Sequence, residues 1–307
     1  MKHFLAIADL SAAELKRYLD TAKRLKAEWR TRGNKPILKN KALGMVFQKP
    51  SLRTRVSFDM AMLHLGGHAL YLSPNEIGLG QRESIADVSR VLSRYVDGIM
   101  ARVFAHAHVV ELAQYASVPV INGLSDHEHP CQALGDVFTI IEHLGKLKGL
   151  KVAFFGDGNN VARSLMYACA LGGARFVCAS PRGYALDDAS VQVARTMGGD
   201  VTLTEDPQAA ARDADVLYTD VWASMGQEEQ AAQRAKVFPP YQLNAALVGL
   251  AKPTSIVMHC LPAHRGAEIT DEVADGPHSV LFDQAENRMH AQKAILALLM
   301  GGKTLKR

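Results

Sequence analysis

The feature that most constrains this chain is an alternation. Short apolar runs trade places with longer segments of helical period, in two series on either side of the glycine- and lysine-rich stretch "GKLKGLK" (145–151). In the first series, Ser11 followed by Glu14 forms a capping-box pattern that opens a helix over 11–30. "ALGMVF" (42–47) reads as a strand, and Val56, Met60, Leu63 and Leu65 mark the next helix. A helix over 83–96, strands at 98–104 and 117–123, and a helix over 129–145 complete it. The second series has strands at 151–155, 175–180, 214–221, 255–262 and 279–284, then a helix over 287–301 too apolar to be a free tail. Such alternation specifies the α/β class: two domains, each a mostly parallel sheet flanked by helices on both faces. A length of 307 residues also favours two domains over one. The expected boundaries are 1–145 for the first, with the C-terminal helix (287–307) packing back on it, and 146–286 for the second.

Charge and cysteine content narrow the function classes. With 35 basic and 31 acidic residues the net charge is +4, too mild for a dedicated nucleic-acid binder but compatible with small anionic substrates held by a local cluster. None of the four cysteines forms a CxxC pair, so neither a zinc knuckle nor a thioredoxin-type motif is expected. The apolar run at the N-terminus stops at Asp9, too short for a signal-peptide core, and no segment reaches the length of a membrane span. The expectation is a soluble, cytoplasmic, reduced protein with no membrane or nucleic-acid partner.

The densest local signal is "FQKPSLRTRVSF" (47–58). Here a strand hands over to a helix, whose first N–H groups are free and whose dipole end is positive. Ser51, Arg53, Thr54 and Arg55 add side-chain donors at that place. Guanidinium groups grip phosphate oxygens in a fork, and each charge-assisted bond contributes roughly 1.5–3 kcal/mol. A phosphate site and a solvated basic turn are both compatible with this stretch alone.

"PSLRTR" resembles the phosphate motif of the carbamoyltransferases. "HPCQ" (129–132), "GDGNN" (156–160), "DVWASMG" (220–226), "HCLPAHRG" (259–266) and "ENRMHAQ" (286–292) follow in the order that family uses. Six such motifs cover nearly the whole chain. The resemblance implies that carbamoyl phosphate is held by Ser51, Leu52 (through its backbone N–H), Arg53, Thr54, Arg102, His129, Gln132, Cys260, Leu261 and Arg288. Of these, Arg102, His129 and Arg288 would face the carbonyl oxygen. Gln132 and the carbonyls near Cys260 and Leu261 would orient the carbamoyl NH2. Asp220 and Ser224 would take the α-ammonium of an amino-acid substrate, and Asn160 with the N–H of Met225 its α-carboxylate. The reaction implied is carbamoyl transfer to the δ-amine of L-ornithine, giving L-citrulline and phosphate, with Arg102, His129, Cys260 and Arg288 as the catalytic set, no metal and no cofactor. An aspartate enzyme would need extra basic groups in the second domain. A putrescine enzyme would lack the Ser-Met-Gly loop, and an acylornithine enzyme would have no use for Asp220.

The family also implies a homotrimer with sites at subunit interfaces. Two positions depart from its pattern. Leu52 stands where Thr or Met is usual, which is harmless if only its N–H is used. Gly78 stands where many relatives carry Gln or His reaching a neighbouring subunit, with Gln81 or Arg82 the nearest substitutes. Other readings have weaker support. Cys260 beside His259 resembles a nucleophilic pair, but the family uses the thiol to position substrate. His259, Cys260 and His264 lack a fourth metal ligand at useful spacing. "GDGNNVA" resembles half of a dinucleotide fingerprint, but the next strand ends at Ser180 with no acid. A catalytically dead regulatory subunit would have lost part of the basic and His-Cys set. His64, His68, His106 and His108 read as surface or packing residues, His127 and Glu128 as loop residues that set the start of the next helix, and Trp222 as a hydrophobic anchor.

Overall fold

The computed structural model describes residues 2–223 and 230–302. Two compact units divide the chain. One takes it as far as Phe138 and again from Asn287; the other is Thr139–Glu286.

The first unit holds strands β1 (Ala42–Phe47), β2 (His68–Leu72), β3 (Gly98–Arg102) and β4 (Val120–Leu124), ordered β2-β1-β3-β4 and all parallel. The second holds β5 (Lys151–Phe155), β6 (Arg175–Ala179), β7 (Asp200–Thr204), β8 (Val216–Thr219) and β9 (Ile256–His259), ordered β7-β6-β5-β8-β9, again all parallel. Parallel strands need crossovers, and helices supply them. β3, β8 and β9 are buried along their whole length, so both sheet faces are covered, which is why they read as unbroken apolar runs. In the first unit Val46, Ile99, Ala101, Val109, Leu112 and Val120 belong to one buried cluster. In the second, Ala153, Phe155, Val177, Leu217, Val257 and Ile269 belong to another.

Local chemistry sets the element ends. Ser11 caps the helix Ala12–Arg32: its hydroxyl accepts from the Glu14 N–H at 3.2 Å, and the Glu14 carboxylate accepts from the Ser11 N–H at 2.9 Å. Asn159 caps the helix Asn160–Gly172, its Oδ1 accepting from Val161 and Ala162.

Residues 279–284 were expected to form a strand and do not. Ser279 makes a single bridge to Val257, and a helix begins at Leu281 and runs to Met300. An apolar run this short fits either period; here Leu281, Gln284, Asn287, Arg288 and Ala291 recur at helical spacing and each is buried. Two edge strands gave no clear signal in the sequence. β2 is mostly exposed or half-buried, and β7 buries only Val201. Half-covered edges lack the continuous apolar run that betrays a central strand.

Gly78 has a local reason. It ends the short helix Pro74–Ile77 in the left-handed conformation, at φ 48°. A Cβ there would lie 2.9 Å from the Cβ of Arg82, so a side chain at this position is strained as well as crowded.

Candidate functional site

In the first unit, β1 and β3 end side by side, with Phe47 in register with Arg102. Just beyond β1, Ser51 occupies the N-cap of the helix Leu52–His64 in extended conformation, and its hydroxyl makes no cap bond. The Ser51 hydroxyl instead donates to Thr54 Oγ1 at 3.1 Å, and Arg102 Nη1 donates to the same Thr54 oxygen at 3.3 Å. The first turn of a helix, two hydroxyls and a buried arginine thus converge. Arg53 is half-buried on that turn. The Leu52 side chain is 74% exposed, so its contribution to an anion is limited to the backbone N–H.

The helix Pro130–Leu144 begins beside β4. His129 precedes it, and Gln132 lies on its first turn; both are buried. Arg288 Nη1 donates to Gln132 Oε1 at 3.0 Å, and Gln132 Nε2 donates to Asp136 Oδ1 at 2.8 Å. The Gln132 amide is therefore fixed in orientation. Burial, then the charges of Arg102 and Arg288, hold the His129 imidazole well below its usual range, so at neutral pH it is an uncharged group inside a positive field. Burial pushes the neighbouring Cys131 thiol up to about 12, which makes it inert.

Sequence reasoning took Glu128 as a loop residue, and its role is larger. It is fully buried and accepts the Ile7 N–H at 2.8 Å, while its own carbonyl accepts the Ser125 hydroxyl at 3.3 Å. The turn that delivers His129 is thereby tied to the N-terminal segment. The buried Gln132–Asp136 pair was also unforeseen; an aspartate four residues after a glutamine on a helix was the available signal.

In the second unit, β8 and β9 end in register, Thr219 beside His259. The next residues, Asp220 and Cys260, therefore sit on adjacent strand ends, and the Cys260 thiol donates to Asp220 Oδ1 at 3.0 Å. The other carboxylate oxygen of Asp220 accepts from Asn159 Nδ2 at 2.8 Å. Asn159 is thus the asparagine that touches Asp220; Asn160, expected to take an α-carboxylate, is the first residue of the helix and half-buried. The capping preference for asparagine was the signal that could have singled out Asn159. Ser224 and Met225 lie outside the described residues. Arg234 Nη1 bonds Asp157 at 3.0 Å and the Trp222 carbonyl at 2.7 Å, anchoring the turn after β8. Burial nonetheless raises the Asp157 pKa, against the pull of Arg234.

Donor atoms of Asp220, His259 and Cys260 lie within 4.8 Å of one another. Both His259 ring nitrogens are engaged, one by the Leu261 N–H at 2.8 Å and one by Glu268 at 3.1 Å. Two donors then remain, which does not fit the four-coordinate preference of a zinc-type ion. His264, the third residue of the trio that lacks a fourth ligand in the sequence, uses its backbone N–H to bond Glu268. At the end of β6, Ser180 is buried and pairs with Cys178 at 3.3 Å; it offers no carboxylate for a ribose hydroxyl.

Taken unit by unit, these groups define an α/β protein with an oxyanion cradle of serine, threonine and arginine on one unit and a carboxylate–thiol pair on the other. Residues 2–142 match the family model described as the aspartate/ornithine carbamoyltransferase carbamoyl-P binding domain, and residues 148–299 match its Asp/Orn binding domain. The anabolic ornithine carbamoyltransferase of Pyrococcus furiosus is 57% identical over 98% of this chain and 97% of its own. A solved structure of ornithine carbamoyltransferase from that organism superposes with a TM-score of 0.95 at 56% identity, covering 98% of this chain and 97% of that one. The Thermus thermophilus enzyme gives 0.90 at 45% identity, covering 98% and 99%. The chain belongs to the aspartate/ornithine carbamoyltransferase family.

Proposed function

We propose that this protein transfers the carbamoyl group of carbamoyl phosphate to the δ-amine of L-ornithine, giving L-citrulline and phosphate in arginine metabolism. The observation that carries the choice of substrate is the Cys260–Asp220 contact, held from the other side by Asn159. A carboxylate so placed suits an α-ammonium, a charge pairing that a neutral acylated nitrogen cannot make.

Carbamoyl phosphate is held at its phosphate end by Ser51, Arg53, Thr54 and the Leu52 N–H. Arg102, His129 and Arg288 face its carbonyl oxygen and stabilise the tetrahedral oxyanion. Gln132, with the carbonyls at Cys260 and Leu261, orients the NH2. Asp220 and Ser224 hold the ornithine ammonium; Asn160 and the Met225 N–H hold its carboxylate.

The attacking nitrogen must be neutral. A free δ-ammonium titrates near the lysine value of about 10.4, so deprotonation at pH 7 costs roughly 4–5 kcal/mol. The surrounding arginines lower that value, and departing phosphate takes the remaining proton. His129 is held neutral, so it shapes no acid limb. The rate is therefore expected to climb on the alkaline side of neutrality; a flat profile from about pH 6 to 9 would contradict the neutral-amine step.

A homotrimer belongs to the same proposal. Its support is the helix Leu52–His64, whose outer face exposes Leu52 by 74%, Val56 by 50% and Leu63 by 62%, apolar surface that a partner chain would cover. Light scattering reads it directly: three chains per particle, or a multiple, is expected, and a monomer would refute it. No described helix is long and apolar enough to cross a membrane, and a cytoplasmic setting is supported by four cysteines that form no disulfide among the described residues.

The enzymatic test is a split between substrates. Arg53→Ala should raise KM for carbamoyl phosphate by two orders of magnitude or more while ornithine binding survives; near-normal turnover would overturn the phosphate assignment.

A further inference from the structure

Immediately after β9 the chain makes an unusual turn. Leu261 adopts a left-handed backbone at φ 57°, and the Leu261–Pro262 bond is cis. Its N–H donates to His259 Nδ1 at 2.8 Å. A backbone N–H can only donate, so Nδ1 must carry the lone pair and the ring proton must sit on Nε2. That Nε2–H meets Glu268 Oε1 at 3.1 Å, and the same oxygen accepts the His264 N–H at 2.5 Å. His259 and Glu268 are both fully buried. Their backbones are anchored as well: the His259 N–H donates to Gln284 Oε1 at 2.8 Å, and the Glu268 carbonyl accepts the Leu243 N–H at 2.9 Å.

We infer that Glu268 is a positioning residue: it selects the His259 tautomer that holds the Leu261 N–H, and so aims the Cys260–Leu261 carbonyls at the carbamoyl group. Two buried residues that touch no substrate thereby connect the loop 264–268 to the reacting carbon. Buried histidines oriented by a carboxylate on the far ring nitrogen recur in metal sites; here the group being oriented is a peptide N–H. The inference rests on the carbamoyl transfer proposed above, so the experiment has one arm that needs no activity.

Glu268→Ala removes the acceptor, and Glu268→Gln keeps one. Expected for the alanine variant is a kcat lower by tenfold to on the order of 100-fold. Its KM for ornithine and its inhibition by inorganic phosphate should stay within threefold of the parent. The glutamine variant should keep kcat within about threefold. In the second arm, amide hydrogen exchange of a peptide covering Cys260 and Leu261 should speed up at least tenfold in the alanine variant and stay slow in the glutamine variant. Should the alanine variant fail to fold, His259→Asn and His259→Gln replace it. Asparagine can still accept at the Nδ1 position and should lose less kcat than glutamine, which reaches only toward Glu268. Equal losses in E268A and E268Q, or unchanged exchange at Leu261 in E268A, would overturn the inference. Absence of citrulline formation by the parent protein would instead strike the proposed reaction and leave the exchange arm to decide the tautomer.

Discussion

At the scale of single residues, the chemistry rests on groups whose freedom has been removed. Asp220 is held by Cys260 on one oxygen and Asn159 on the other. Asp220→Ala should therefore damage ornithine use by at least 100-fold in kcat/KM while inhibition by inorganic phosphate changes less than threefold; equal losses in both would contradict its assignment. Asn159→Ala removes both an N-cap, costing about 1 kcal/mol, and the support of Asp220. Its ornithine KM should rise about tenfold, and an unchanged KM would leave Asn159 only a capping role. Motif and residue type single out Arg102, Asp220, Cys260 and Arg288 as site candidates. They do not single out Asn159 or Glu128, whose partners lie far away in sequence, nor Glu268, whose contacts to His259 and the His264 N–H, nine and four residues back, follow no motif. Glu128 bonds a backbone group 121 positions away, and no local pattern announces such a partner.

At the scale of elements, close approach matters more than propensity. Gly135 sits inside the helix Pro130–Leu144, where alanine would ordinarily stabilise by up to about 1 kcal/mol. A Cβ at Gly135 would lie 3.0 Å from Arg288 Cα and 3.2 Å from its N, and backbone does not yield as a side-chain tip would. Overpacking costs about 1–3 kcal/mol, so the contact wins. Gly135→Ala should lower the denaturant midpoint and raise KM for carbamoyl phosphate roughly fivefold by displacing Arg288; a more stable variant with normal KM would refute the argument. The same balance explains which elements were legible. Central strands and capped helices declared themselves through apolar runs and Ser11–Glu14 chemistry. The edge strands β2 and β7 did not, and Ser279–Gln284 misled, because a short apolar run carries no period of its own and the start of the helix is fixed by contacts such as those of Gln284 with His259 and Tyr218.

At the scale of the whole molecule, burial of cationic groups sets a pH limit. The pKa of His129 is lowered by burial and by Arg102 and Arg288. His64 falls to about 4 through burial and Lys293, and His290 to about 3 through burial and the charges of Lys293, Lys26 and Arg30. In the unfolded chain each returns to its ordinary value of about 6.5 and takes up a proton more readily than in the fold. Stability is thus fully present above that pH and is lost progressively as pH falls below it, toward the folded values near 4 and 3. The urea midpoint should be lower at about pH 5 than at about pH 7.5; an equal or higher midpoint at the acidic pH would show these histidines to be charged in the fold. The two-unit α/β architecture followed from the alternation of strand and helix along the chain.

Substrate choice is read from product formation by the purified protein with carbamoyl phosphate and, side by side, L-ornithine, N-acetylornithine, putrescine and aspartate. Citrulline from ornithine is expected at a kcat/KM at least 100-fold above that for any other acceptor. A preference for another acceptor would contradict this expectation, since N-acetylornithine brings no ammonium to Asp220, putrescine brings no carboxylate for Asn160 and the Met225 N–H, and aspartate has no δ-amine to carbamoylate.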